Sequence, residues 1–208
     1  MKQPPRRLQV KLFEIGGANR DLAPFVSLFH GWIQRGELED LLVDVHDYKH
    51  IHEGPGILLV GHEGDYAFDL GGGRRGLLYR LKRSDADSLG AALKLAFRRL
   101  IAAALCVEND SGPGGRVTFS TREFEIQILD RLRYPNEESP FNEMKTELSS
   151  VMHSVLGGVP ADLAIERIYN DPREPLAVRI LAAHAPVLKE LAGVPEPAAS
   201  DHPSSATY

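Results

Sequence analysis

The sequence predicts an α+β domain: a mixed, mostly antiparallel sheet with three main helices packed chiefly on one of its faces. Three observations predict it. Short runs rich in β-branched and aromatic residues are separated by Gly, Pro and Asn turns, as in LLVDVHDYKHIHEGPGILLVGH. Three longer stretches carry apolar residues at helical spacing. The chain has 208 residues, 43% hydrophobic and 25% charged, enough to bury one core of ordinary size.

Residues 9–15 alternate in polarity and run into Gly16-Gly17, which predicts a first strand. Asn19 or Asp21 then caps a helix over residues 22–35, where Phe25, Leu28, Phe29 and Trp32 share a face. Trp32 reads as core. Residues 41–70 read as a β-hairpin turning at Glu-Gly-Pro-Gly. The following Gly71–Gly76, GGGRRG, spells G-x-G-x-x-G, but the next residues, LLYRLKR, alternate like a strand. A dinucleotide fingerprint needs a helix there, so the stretch is read as a glycine-rich turn.

Residues 84–109 give the strongest helix signal, capped by Ser84 or Asp87. Its wide apolar band, Leu89 through Leu105, suggests either the centre of the fold or a subunit contact. Cys106, at its end, reads as packing. Residues 109–115, NDSGPGG, form the clearest linker. In residues 117–128 the apolar parity changes near Thr121, which predicts a bulge or tight turn. Ser139-Pro140 opens a third helix and Gly157-Gly158 ends it. Residues 163–169 and 176–181 form a last hairpin around a turn at 170–175, and the Pro-, Ala- and Ser-rich residues 191–208 read as a flexible tail.

One domain over residues 1–190 is expected. Within it, strand, helix, strand, turn, strand recurs, which suggests two β-α-β-β repeats, at 8–83 and 116–185, joined by the helix at 84–109.

Charge bounds the partners. Twenty-four Lys and Arg against 29 Asp and Glu give a net charge of −5, so neither nucleic acid nor an anionic membrane is an expected partner. One cysteine excludes an internal disulfide framework and fits a reducing cytoplasm. No apolar run reaches the ~18 residues of a membrane span.

Any chemistry is expected in the 41–70 hairpin, which holds four of the eight histidines. With a three-residue turn at Glu53–Pro55, His46 falls directly opposite His62, close enough for two imidazoles to share a metal or a proton. With a longer, irregular loop over residues 48–55 that argument lapses. The candidate metal ligands are Asp44, His46 and His62, with His50, His52 or Glu63 as a further ligand, a set suited to Zn²⁺ or another divalent first-row metal. Glu63 is the candidate base of a metal-dependent hydrolase. A metal-free variant uses His46 or His62 as the base beside Asp44 or Asp65. No established zinc spacing is present, and H-E-x-x-H fails after His62-Glu63. The favoured reading of these side chains is therefore that they cap and cross-link the hairpin. Arg74, Arg75, Arg80, Lys82 and Arg83 form a basic cluster that reads as a solvated edge or, alternatively, with Arg74, Arg75 and Arg80 as its ligands, as a small-anion rim.

P-loop and nucleophile-elbow motifs are both missing from the sequence. The expectation is a non-enzymatic cytoplasmic domain without a cofactor, acting through protein contacts or self-association. The histidine-based enzyme and the anion binder stand as alternatives.

Overall fold

The computed structural model describes residues 3–16, 20–110, 116–157, 162–169 and 171–191. The elements follow in the order β1 (Leu8–Glu14), α1 (Ala23–Arg35), β2 (Leu42–Tyr48), β3 (Gly56–Gly61), β4 (Gly64–Asp69), β5 (Gly76–Leu81), α2 (Leu89–Asn109), β6 (Phe119–Ile128), α3 (Glu138–Val155), β7 (Leu163–Arg167), β8 (Leu176–Ala182) and a one-turn α4 (Leu188–Leu191). The strands form one sheet in the order β2-β3-β4-β5-β1-β6-β8-β7, each neighbouring pair antiparallel. The domain is α+β, as the alternation of strand and helix patterns predicts.

Strand side chains alternate faces, so the pairing registers decide what each face carries. One row runs Ile57–Phe68–Leu77–Leu12–Phe124–Ile180–Ile165 across seven strands, and every member is buried. Burying a side chain of this kind is worth about 1.5–3 kcal/mol, so this face is the core. The helices lie on it. Phe25 of α1 stacks on Phe68 at 3.9 Å, Phe97 of α2 meets Phe124 edge-on at 5.5 Å, and Phe141 of α3 lies under Arg167 at 5.6 Å. The opposite face carries the row His46–Leu58–Ala67–Leu78–Lys11–Glu125–Arg179–Glu166, with none of these helix contacts.

Local chemistry sets the element ends. The Ala23 N–H donates to Asp21 Oδ1, Pro24 occupies the first turn of α1, and Gly36 ends it in the left-handed conformation. The cap of α2 is Ser88, whose side chain accepts from the Ala91 N–H at 3.2 Å. Neither Ser84 nor Asp87 takes that place; the Ser84 hydroxyl instead accepts from the Ala86 N–H in a local turn. The breadth of the α2 apolar band has an internal cause: it packs on β1 and β5 and is flanked by α3 and α4. The parity change near Thr121 corresponds to a slip of register, since Leu12 faces Phe124 whereas Glu14 faces Phe119. GGGRRG leads from a short turn at Gly71–Gly73 into β5, a strand rather than a helix.

The 41–70 stretch requires a correction. It is a three-stranded meander of β2, β3 and β4 rather than one hairpin. Residues 49–55 connect β2 to β3 through successive turns in which the Ile51 N–H donates to Tyr48 O and the Gly54 N–H to Ile51 O. Tyr48 pairs with Gly56 and His46 with Leu58, so the register expected from a three-residue turn does not form. A bulge at Val43, between the Leu42–Gly61 and Asp44–Val60 pairs, turns that side chain outward.

Both halves start with a central strand, cross by a helix and step back from the sheet edge. β8 lies beside β6, but the β2–β3 hairpin is separated from β1 by β4 and β5. The expected linker beyond Asp110 and the tail beyond Leu191 lie outside the described residues.

Candidate functional site

The residues singled out for metal or acid–base chemistry are dispersed. His46 projects from the open face of β2, half-exposed, with Nε2 3.5 Å from Asp44 Oδ2. Asp44 also accepts the Val45 N–H at 2.8 Å, and its carboxylate is largely exposed. His62 belongs to the tight turn between β3 and β4; its backbone N–H donates to Leu41 O and its side chain is exposed. The two imidazoles are therefore not opposed across a ladder. Among the described residues, no group of three or more His, Cys, Asp and Glu is arranged to hold a metal ion. Burial, helped by Glu37, raises the Cys106 thiol, which therefore stays protonated at neutral pH.

The basic cluster is also split. Arg74 stacks over Phe13 at 3.7 Å on the open face and donates two hydrogen bonds to Glu123, at 2.5 and 2.7 Å. Arg75 turns toward the helical side, with Nε 3.5 Å from the buried Glu14 carboxylate and Nη2 donating to Arg20 O. Arg80 donates to Gln9 Oε1 at 3.0 Å. Arg74, Arg75 and Arg80 thus engage groups of the chain itself rather than converging on one cradle.

What the fold does bring together lies beneath the His62-Glu63 turn. Asp40, buried, accepts the Glu63 N–H at 3.0 Å and the Gly64 N–H at 2.9 Å, fixing the turn from the α1–β2 connection. Just past the end of β5, Lys82 Nζ donates to Gly61 O at 2.8 Å and to Asp65 Oδ1 at 2.6 Å. Arg99 of α2, itself buried, donates to Glu39 Oε2 at 2.5 Å and to Glu63 Oε2 at 2.8 Å. Glu63 and Asp65 are thus the residues predicted for metal or acid–base chemistry that join the cluster.

Two tyrosines complete it. Tyr66 and Tyr79 are cross-strand partners on β4 and β5, their ring centroids 4.8 Å apart, and both are fully buried. The Tyr79 hydroxyl rests against Gly64, where an added Cβ would approach it to 2.4 Å. Neither hydroxyl nor Arg99 Nε finds a hydrogen-bond partner among the described residues. Burial raises the pKa of both phenols, reinforced at Tyr66 by Tyr79 and at Tyr79 by Asp40. They therefore act as neutral hydrogen-bonding groups at physiological pH and do not supply a phenolate base.

Of this cluster the sequence reading named Glu63 and Asp65 as acid–base candidates and Lys82 as part of the basic cluster. Tyr66, Tyr79 and Arg99 follow from alternation and helical spacing only as residues near a core, and nothing local marks them as partners. Asp40 was detectable in principle as an acid closing a connection, but the turn it holds lies 23 residues on.

No protein-family model matches the chain, and no curated protein or solved structure shows significant similarity to it.

Proposed function

We propose that the protein is a non-enzymatic cytoplasmic domain that acts through protein contacts, self-associating along the free edge of β2. The observation carrying this reading is a group of three exposed large apolar side chains, among others scattered over the surface, at one edge of the sheet. Leu41 (69% exposed), Val43 (61%) and Ile51 (42%) fall on or beside the outermost strand, which has a strand neighbour on one side only among the described residues. Apolar side chains gathered at an unpaired sheet edge favour association.

The strand is also self-complementary. Antiparallel pairing with a second copy about Val45 sets Asp44 opposite the partner's His46, twice over by the two-fold. Meanwhile the solvent-exposed Val45 N–H is occupied by the carboxylate of Asp44. That local bond competes with strand addition and keeps the edge from pairing indiscriminately. The contact is narrow, so dimerisation is expected to depend on concentration. The single cysteine fits a reducing compartment.

Sedimentation velocity on the full chain over a concentration series tests the proposal. The wild type should shift from monomer to dimer, and a Leu41→Asp, Val43→Asp double variant with an unchanged thermal midpoint should stay monomeric. A wild type that remains monomeric at high micromolar concentration, or a double variant that still dimerises, would overturn it.

A further inference from the structure

We infer that Tyr66, Tyr79 and Arg99 enclose a binding site for one neutral, water-sized molecule, an internal water that joins α2 to the β4–β5 ladder beneath the His62-Glu63 turn. The inference is independent of self-association along β2, which lies at the rim of the sheet.

It rests first on burial. The Tyr66 and Tyr79 hydroxyls and Arg99 Nε are each shielded from solvent, and each is unpartnered among the described residues. A buried polar atom without a hydrogen bond costs about 1–3 kcal/mol, and three such atoms in one locality are unusual in a stable domain. One shared partner removes all three costs. A buried water typically makes about three hydrogen bonds to groups of this sort.

The second ground is convergence. The two rings are directly paired across neighbouring strands, and the Tyr79 hydroxyl reaches the backbone of Gly64. Arg99 reaches the adjoining Glu63 through Nη2, and Asp40 holds the backbone N–H groups of Glu63 and Gly64. All three unpartnered atoms therefore belong to side chains gathered around one turn.

Charge selects the class of ligand. Arg99 is already paired with Glu39 and Glu63, and Asp40 lies against the same turn. An added anion would face the three carboxylates of Glu39, Glu63 and Asp40, while an added cation would face the Arg99 guanidinium. A neutral molecule able both to accept and to donate fits. The Gly64 contact leaves the Tyr79 hydroxyl close-packed on one side, so the occupant is small.

Substitution of the hydroxyls distinguishes a bridged site from a dry one by sign. In a dry site, Tyr66→Phe and Tyr79→Phe each delete an unsatisfied group and raise the thermal midpoint. With a bridging water, each single substitution lowers the midpoint, and the double variant falls by less than the sum of the two, because both hydroxyls serve one molecule. The companion measurement is a high-resolution crystal structure of the full chain. It should show an ordered peak within hydrogen-bond distance of both hydroxyls and Arg99 Nε. A raised midpoint in either single variant, strict additivity in the double variant, or no peak at that position would each overturn the inference.

Discussion

Gly56 opens β3 with a φ of 60°, and a Cβ added there would sit 2.2 Å from the carbonyl oxygen of Phe68 on the neighbouring strand. Two costs therefore coincide. A non-glycine residue in the left-handed region costs about 1–3 kcal/mol, and an overpacked contact that cannot relax adds about as much again. The obstacle is backbone in the middle of a sheet, so relaxation would disturb the β3–β4 ladder itself. Gly56→Ala is expected to lose about 2–6 kcal/mol in a denaturant titration. Gly72→Ala is its control, because φ is 67° there but nothing lies within 4 Å of the added carbon; only the conformational cost should appear. The Gly-Pro-Gly of residues 54–56 announces a turn in the sequence, yet it does not say which glycine meets a neighbouring carbonyl. That depends on where β4 lies. Arg99 is a second case. Its charge is legible, but the carboxylates that allow its burial come 60 and 36 residues earlier in the chain, and no local pattern ties them to it.

At the scale of elements, periodicity carries far because it reflects one face of one segment meeting a core. The three main helices and most strands were therefore readable, β4 being merged into the expected 41–70 hairpin, while element ends and connections followed finer rules. Ser84, Asp87 and Ser88 all have side chains able to cap a helix, and Ser88 takes the position because its backbone is extended just where the first helical turn begins. Ser88→Ala is expected to cost about 1 kcal/mol of stability, whereas Ser84→Ala, which removes only a turn bond, should cost clearly less. Equilibrium unfolding of the two variants side by side checks the assignment. Of the two β2–β3 connections the sequence allowed, the longer loop over residues 48–55 forms and the three-residue turn does not, for a related reason. A three-residue turn around Glu-Gly-Pro is locally reasonable, but successive turns from Tyr48 to Gly54 are stabilised by backbone bonds that leave little trace in composition. The four extra residues moved His62 off the strand facing β2, and with it the one geometry that would have placed two imidazoles together.

At the scale of the whole molecule, the order of strands depends on pairings between distant segments, above all on β1 lying between β5 and β6. Glu123 stands where those two parts of the sheet meet on the open face. Its carboxylate receives both hydrogen bonds from Arg74, which precedes β5, and lies 3.2 Å from Arg179 Nε of β8. The Arg74 hydrogen bonds, supported by the charges of Arg74 and Arg179, hold the Glu123 carboxyl below its ordinary range. The sign of the linkage follows. A carboxyl whose folded pKa lies below the unfolded value of about 4.3 adds stability that is fully present above that value and is lost as pH falls through the folded pKa. Glu123→Gln should therefore be less stable than the wild type at neutral pH. The difference should be about 1 kcal/mol, since the half-exposed Arg74 is screened by solvent. As the pH is lowered through the carboxylate range the two unfolding curves should approach one another, because acid removes from the wild type the same ion pair that the substitution has already removed. Urea melts of both proteins from neutral pH downward measure this gap. A gap that stays constant down to the most acid condition would mean that Glu123 joins the two parts of the sheet through shape alone, and that its charge contributes nothing to holding them together.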